Sequence, residues 1–174
     1  RALRYHGGQD AYGMPDPKAV KAGLANLEKH VENVELFGYK PVIALNRFPS
    51  DAPEEIALVR AFAEERGLPF APSEVYAQGG EGGLELAERV LEALDLPHAY
   101  RPLYPLEASL EAKVEAIATR VYGAEGVEWS EEAKRALKAA KKEGCEALPV
   151  VVAKAATSLS DNPRLRGRPR GFTV

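Results

Sequence analysis

The sequence is poor in several residue types, and each shortage excludes a kind of structure. Cys145 is the single cysteine, which excludes an internal disulfide and fits a reducing, cytoplasmic location. No apolar stretch is long enough for a membrane-spanning helix, so no membrane is expected as a partner. The histidines His6, His30 and His98 lie far from one another and from any metal-binding spacing of cysteines or carboxylates. The sequence therefore predicts no metal site, and it shows no recognisable pair of nucleophile and base that would mark catalytic residues.

A strong excess of one charge is also lacking. The formal net charge is -3, so neither nucleic acid nor an anionic membrane is expected as a general partner. One basic segment, residues 164–170, carries four arginines. It could bind an anionic ligand or RNA, or it could be a solvated edge whose charges pair with glutamates or deter strand pairing.

The ends of the sequence and its composition suggest its origin. The sequence begins at Arg1, has Met14 as its only methionine, and ends at residues 171–174 as a strand pattern begins. We interpret it as a piece truncated at both ends. The scarcity of Cys and Met beside abundant Glu, Arg and Pro favours a thermophilic source.

Apolar runs typical of buried strands alternate with segments of helical periodicity. Strands are predicted at residues 41–45, 68–71 and 148–153, and helices at residues 17–37, 52–66, 84–94, 106–122 and 131–143. This order predicts an α/β fold with a largely parallel sheet flanked by helices: a P-loop-like or Rossmann-like portion and a smaller α/β domain. The proline-rich connector at residues 97–105 divides the sequence into residues 1–97 and 98–174.

Capping residues predict where the helices begin. Asp16 and Asp51 precede Pro17 and Pro53 as N-caps with proline in the first turn, and Ser130 is a further N-cap. A glycine follows four of the predicted helices as a stop signal.

Two loops place an aromatic residue directly after a predicted strand. Phe48 lies in residues 46–51, and Tyr76 lies in residues 73–83. Ligands of α/β sheets bind beyond the carboxyl ends of the strands, so the pair suggests a clamp for a flat heterocycle. Alternatively, each ring covers a strand end. Arg47 could pair with an anion or with a neighbouring carboxylate.

The glycine-rich part of the second loop invites a phosphate-binding interpretation. Gly83 is followed by Leu84 and Glu85 rather than Lys-Ser/Thr, so the Walker A pattern is absent. Glu81 and Glu85 would also repel phosphate. The loop is either a flexible connector or a place where the backbone closely approaches a ligand or another segment.

Several segments together resemble the formate–tetrahydrofolate ligase (10-formyltetrahydrofolate synthetase) family. They occur in the family's order over nearly the whole sequence. The matching segments are residues 6–8, 26–33, 46–51, 73–83, 122–127, 158–163 and 167–169. No single segment suffices, but the ordered set is highly specific.

The resemblance implies an ATP-dependent ligase in which ATP phosphorylates formate and the formyl phosphate formylates N10 of tetrahydrofolate. It implies Mg²⁺ and a monovalent cation as cofactors, formate, ATP and tetrahydrofolate as ligands, and a homotetramer. Residues 1–97 would be the C-terminal part of the nucleotide- and folate-binding region, and residues 98–174 a smaller domain incomplete at its C-terminus. The phosphate-binding P-loop would lie upstream, so the piece alone is expected to be inactive.

The resemblance also implies that Phe48 and Tyr76 sandwich the flat ring of the folate or nucleotide. The predicted binding residues are Phe48, Tyr76, Asn46, Arg47, Gly79, Gly80, Glu81 and Gly82. Tyr76 departs from the family's usual Trp, Gln78 from its usual Lys, and residues 155–157 from a more polar stretch. A smaller ring with a hydroxyl still stacks, but over less area.

A second hypothesis comes from a different functional class. The chain could be a non-catalytic module that binds a purine or pterin or mediates subunit assembly. An RNA-binding domain that uses the arginine segment is a third interpretation, and it predicts salt-sensitive binding.

Overall fold

A computed structural model of the chain describes residues 1–10, 12–153 and 157–174. These residues form two compact units, Arg1–Tyr100 and Arg101–Val174. The division falls inside the predicted proline-rich connector. The functional roles assigned to residues 1–97 and 98–174 stay predictions.

The first unit is an α/β structure. Its elements are α1 (Ala2–His6), α2 (Pro17–Leu36), β1 (Ile43–Asn46), α3 (Pro53–Glu65), β2 (Phe70–Ser73), α4 (Val75–Gln78), a 3₁₀-helix (Gly79–Gly83) and α5 (Leu84–Leu94). The sequence did not predict α1, since five residues are too few to show helical periodicity.

The two strands form a parallel pair in which Ile43 is opposite Phe70 and Asn46 is opposite Ser73. A buried cluster that includes Val20, Val59 and Phe62 packs with the strands and joins α2 and α3 to them. The predicted α/β class with a parallel sheet flanked by helices is therefore confirmed, and the sheet in the described residues is small, with two strands.

Asp16 caps α2 as predicted, because its side chain accepts a hydrogen bond from Ala19 N–H at 3.0 Å. The prediction that Asp51 caps the next helix is wrong. The N-cap residue of α3 is Ala52, and the carboxylate of Glu55 accepts the Ala52 N–H at 3.0 Å. The Asp51 carboxylate bonds elsewhere, to the backbone N–H of Phe48 and to the side chain of Arg4.

Two glycines allow α1 and α2 to approach closely. A Cβ built on Gly23 would lie 2.0 Å from the Leu3 carbonyl oxygen, and one on Gly7 would lie 1.8 Å from the Ala19 carbonyl oxygen. Only glycine fits such contacts between backbones. This close packing fixes where α1 presents its side chains.

The second unit contains α6 (Leu110–Ala116), a π-helix (Ile117–Tyr122), α7 (Glu131–Lys142) and a 3₁₀-helix (Cys145–Ala147). The predicted helix at residues 106–122 begins later, at Leu110, because Ser109 supplies the N-cap. Ser130 caps α7 as predicted. Gly126 and Thr173 form an isolated parallel bridge.

The buried strand predicted at residues 148–153 is wrong. The segment has no strand structure, and Val151 is 92% exposed. Its backbone bonds to side chains: Val150 N–H donates to the Tyr104 hydroxyl at 2.9 Å, and Leu148 O accepts from Lys113 Nζ at 3.1 Å. An apolar run forms a buried strand only where a neighbouring strand pairs with its backbone. Here side chains form hydrogen bonds to that backbone instead.

Within residues 1–10, 12–153 and 157–174, no helix has both the length and the apolar character needed to cross a membrane.

Candidate functional site

The two aromatic loops emerge side by side from the first unit's sheet. Since Asn46 and Ser73 are paired at the ends of parallel β1 and β2, both loops leave the same edge. The Arg47 N–H donates to the Ser73 carbonyl oxygen at 3.0 Å and extends the pairing by one residue. The structure thus brings the loops of Phe48 and Tyr76 together, as the sequence pattern indicated.

Phe48 is half-buried, and both polar groups of its backbone are hydrogen-bonded to Asp51. Its N–H donates to Asp51 Oδ2 at 2.9 Å, and its carbonyl oxygen accepts the Asp51 N–H at 3.0 Å. The Arg1 guanidinium lies 3.7 Å from the centroid of the Phe48 ring and 5.1 Å from that of Tyr12. One face of Phe48 therefore already supports a flat, cationic group by a cation–π contact.

Tyr76 lies in the single turn of α4, directly after β2, and is 96% exposed. Its ring therefore does not cover a strand end, which was the alternative explanation for an aromatic residue in this loop. A large aromatic side chain with so little packing is available to stack on another flat group.

An ion pair joins the two loops. Arg47 Nη1 lies 2.5 Å from Glu74 Oε1, and the Gln78 amide donates to Glu74 Oε2. The sequence left open whether Arg47 pairs with an anion or a carboxylate, and in this structure its partner is Glu74. Asn46 is exposed beside it at the end of β1.

The glycine-rich segment is ordered and closed on itself. The Glu74 N–H donates to the Gly82 carbonyl oxygen at 2.9 Å, and a Cβ on Gly82 would lie 2.6 Å from the Glu74 carbonyl group. Gly79 has a φ of 61° and Gly80 faces open space. Gly82 thus makes a close backbone approach to Glu74 at the start of the same loop, and the predicted approach of this backbone to a ligand stays a prediction. Glu81 is exposed on the same turn.

A buried ionic cluster lies behind the Phe48 loop, and sequence reasoning missed it. Arg4 is 2% exposed, and its guanidinium bonds to Glu55 Oε1 at 2.6 Å, Glu55 Oε2 at 2.5 Å and Asp51 Oδ1 at 2.9 Å. No pattern of spacing signals this cluster, since Arg4 is 51 residues from Glu55 along the chain.

Glu55 is the centre of that cluster. It is 4% exposed, and besides Arg4 it accepts the backbone N–H groups of Asp16 at 2.9 Å and Ala52 at 3.0 Å. The hydrogen bonds from Arg4 lower the pKa of Glu55 to about 2, with the two backbone donors adding to the effect against the opposing effect of burial. The carboxylate is therefore ionised throughout the physiological range and acts as a structural anchor.

The described part of the chain contains no group of three or more His, Cys, Asp or Glu side chains that could hold a metal ion.

Ala155 and Ala156, two of the residues that depart from the family pattern, lie outside the described residues.

A family model for formate–tetrahydrofolate ligase matches residues 1–174. The chain belongs to this family. Formate–tetrahydrofolate ligases of Staphylococcus aureus strains JH9, Newman and COL are each 43% identical to the chain over 176 residues. The match covers all of this chain and 32% of each relative, so the chain spans about a third of the length of these curated relatives.

Membership in the ligase family confirms the family resemblance and does not favour the non-catalytic module. The binding roles of Phe48, Tyr76 and their neighbours are not tested by it and stay predictions.

Proposed function

We propose that this chain is the C-terminal part of a ligase that uses ATP to activate formate and to formylate N10 of tetrahydrofolate. Its contribution is the aromatic wall of the folate site. The family match supports the ligase assignment, and coverage of 32% of each relative supports the idea that other parts of the enzyme complete the site.

One observation favours the aromatic wall above all. Phe48 and the 96% exposed Tyr76 stand on adjacent loops beyond the carboxyl ends of two paired parallel strands. In α/β proteins this edge is where ligands bind, and stacking a flat ring on an aromatic side chain is worth roughly 1–3 kcal/mol. The pterin or adenine ring would lie against these two side chains.

The neighbouring residues would determine the shape of the site and would not give it a net charge. The Arg47 guanidinium is paired with Glu74, so its role is to hold the two loops at a fixed separation. Gly80 leaves open space beside the loop, and Gly79 and Gly82 give the turn its path. Asn46 is exposed at the strand end and can offer its amide to a ring nitrogen or carbonyl.

ATP with Mg²⁺ would supply the phosphoryl group that activates formate. The residues described here do not fit a Mg²⁺ site, since no cluster of suitable ligands occurs among them. The glycine turn does not fit a phosphate site either, because Glu81 lies within it and Glu85 follows. We therefore assign the phosphate, Mg²⁺ and monovalent-cation sites to parts of the ligase outside this sequence. A cytoplasmic homotetramer from a thermophilic source is part of the same proposal.

The proposal is tested by titrating tetrahydrofolate and ATP separately into the chain by calorimetry. Tetrahydrofolate should bind, and Phe48→Ala should raise its Kd more than tenfold through loss of the stacking surface. Phe48→Leu keeps apolar bulk but not the aromatic face, so its Kd for tetrahydrofolate should lie between those of the wild type and Phe48→Ala. A Kd that is the same in all three proteins would contradict the aromatic wall.

The complete ligase offers a second measurement. In the enzyme that contains this chain, Phe48→Ala should raise the KM for tetrahydrofolate more than tenfold. The KM for formate should change little, because Phe48 is assigned to the folate ring alone. The 174-residue chain by itself should hydrolyse no ATP, and measurable hydrolysis would show that it contains its own phosphate site.

A further inference from the structure

A continuous path of hydrogen bonds leads from the interior of the first unit to Phe48. Glu55 binds Arg4, Arg4 binds Asp51 Oδ1 at 2.9 Å, and Asp51 Oδ2 accepts the Phe48 N–H at 2.9 Å. Both oxygens of the Asp51 carboxylate are therefore engaged, one with the interior and one with the loop.

The interior end of this path is fixed. Arg4 is 2% exposed, and two of its nitrogens meet the two oxygens of Glu55 at 2.6 and 2.5 Å. Such a two-point pairing fixes the orientation of a guanidinium as well as its distance. The backbone N–H groups of Asp16 and Ala52 hold the Glu55 carboxylate in turn.

Three helices meet at this cluster. Arg4 comes from α1, Asp16 is the N-cap of α2, and Glu55 lies in the first turn of α3. The close contact of Gly23 with Leu3 sets the position of α1 against α2. A displacement of Arg4 would therefore be transmitted to the Phe48 loop, with no need for the surrounding helices to unfold.

We propose that Arg4 is a positioning residue for Phe48, acting through Asp51. It holds the backbone of the Phe48 loop in place beyond the carboxyl ends of β1 and β2. The consequence for ligand affinity rests on the proposed function, but the positioning of Phe48 itself does not.

Arg4→Lys and Arg4→Met test the path in different ways. Lysine keeps the charge, but its single nitrogen replaces the planar fork, so the pairing of two nitrogens with the two Glu55 oxygens is lost. Methionine keeps much of the length and removes every donor. Arg66→Met is the matched control, because it removes an ion pair with Glu28 at the other end of α3 in the same unit.

The first measurement needs no ligand. Hydrogen exchange of the Phe48 amide, followed by NMR on the folded chain, should be at least tenfold faster in Arg4→Met than in the wild type. Arg4→Lys should be intermediate and Arg66→Met unchanged. Equal exchange rates in the wild type and Arg4→Met would overturn the proposal. If Arg4→Met does not fold, Asp51→Asn gives the same test, since it replaces one of the two bridging oxygens by a donor.

The second measurement separates positioning from general stability. The Kd for tetrahydrofolate should rise at least fivefold in Arg4→Met or Asp51→Asn, and the same substitution should have no further effect in a Phe48→Ala background. An equal effect in both backgrounds would show that Arg4 does not act through Phe48. If the wild type binds no tetrahydrofolate, the proposed function fails, while the exchange rates still decide the positioning role.

Discussion

Tyr76 has almost no packing contact in its own unit, being 96% exposed. Substitutions there should therefore change stability by no more than about 0.5 kcal/mol, as at ordinary surface positions. We expect Tyr76→Ala to weaken tetrahydrofolate binding and Tyr76→Trp to strengthen it, because indole offers more stacking area. Urea midpoints check the expected stability, and calorimetric Kd values measured on the same preparations check the expected changes in binding.

Tyr100→Ala is the control for that experiment. Tyr100 is also exposed, at 63%, but its ring centroid lies 6.4 Å from that of Tyr39, which precedes the start of β1 rather than following its end. Its removal should leave the Kd unchanged. If Tyr76→Trp bound no better than the wild type, area of stacking would not be what limits affinity at this position.

Glu55 makes the stability of the first unit depend on acid. Its pKa is lowered from 4.5 to about 2 in the folded chain, so the unfolded chain binds more protons between these values. The interactions of the ionised Glu55 carboxylate with Arg4 and the two backbone N–H groups together contribute about 3 kcal/mol above pH 4.5, and this contribution is lost as the pH falls toward 2. Urea unfolding followed by circular dichroism at a series of pH values between 7 and 2 measures it.

Glu55→Gln removes the titrating group and leaves the shape of the side chain. The variant should be less stable than the wild type at pH 7, and the difference should shrink steadily below pH 4.5. A difference that stayed constant down to pH 2 would mean that the Arg4–Glu55 pairing does not set the acid sensitivity.

Single-residue roles were predictable only where they are local. Asp16 and Ser130 cap helices from positions next to the helices they cap, so neighbouring residues reveal them. Arg4 and Glu55 are joined over 51 residues, and nothing in either neighbourhood marks the pair. Asp51 was wrongly predicted to be an N-cap because its partner is also distant along the chain. One of its carboxylate oxygens accepts a hydrogen bond from Arg4, and nothing near Asp51 in the sequence indicates this.

Among the helices and turns, the glycine-rich turn gives a sharp test. A methyl group on Gly82 would lie 2.6 Å from the Glu74 carbonyl group, whereas one on Gly80 would meet nothing within 4 Å. Gly82→Ala should therefore destabilise the first unit by about 1–3 kcal/mol, as overpacking does. Gly80→Ala should be neutral or slightly stabilising through the unfolded chain. Denaturant midpoints of the two variants provide the measurement, and equal midpoints would contradict the tight closure of this turn.

The secondary structure elements themselves were predicted best where a long pattern and a stop signal agree. The helix at residues 84–94 was predicted with the bounds that α5 has, and α2 and α7 differ from their predictions by one residue. The five-residue α1 carries too little pattern to be seen. The segment at residues 148–153 has the composition of a buried strand, but pairing is a property of its neighbours, and Tyr104 and Lys113 bond its backbone instead.

On the scale of the whole chain, the two compact units predict two unfolding transitions. Trp129 is the only tryptophan and belongs to the second unit, so its fluorescence reports on that unit alone. Circular dichroism reports on the helices of both units. We expect the two signals to give different midpoints, as chains with more than one cooperative unit do.

Two substitutions assign the transitions. Gly23→Ala forces a side chain against the Leu3 backbone and should lower the midpoint seen by circular dichroism while leaving that of Trp129 fluorescence in place. Lys113→Ala removes a fully buried side chain that donates to the Glu146 and Leu148 carbonyl groups, and it should shift the fluorescence midpoint. If each substitution moved both signals equally, the chain would unfold as one unit.

The hydrogen bond that closes the turn from Glu74 to Gly82 has a consequence for the speed of binding. A segment that is ordered before its ligand arrives loses little conformational entropy on binding and needs no closing step. In stopped-flow mixing, the observed rate should therefore rise in proportion to tetrahydrofolate concentration and reach no plateau. Tyr76 would then be a preformed stacking surface, and the ligand would bind in one step. The lifetime of the complex would be set by the dissociation rate constant alone.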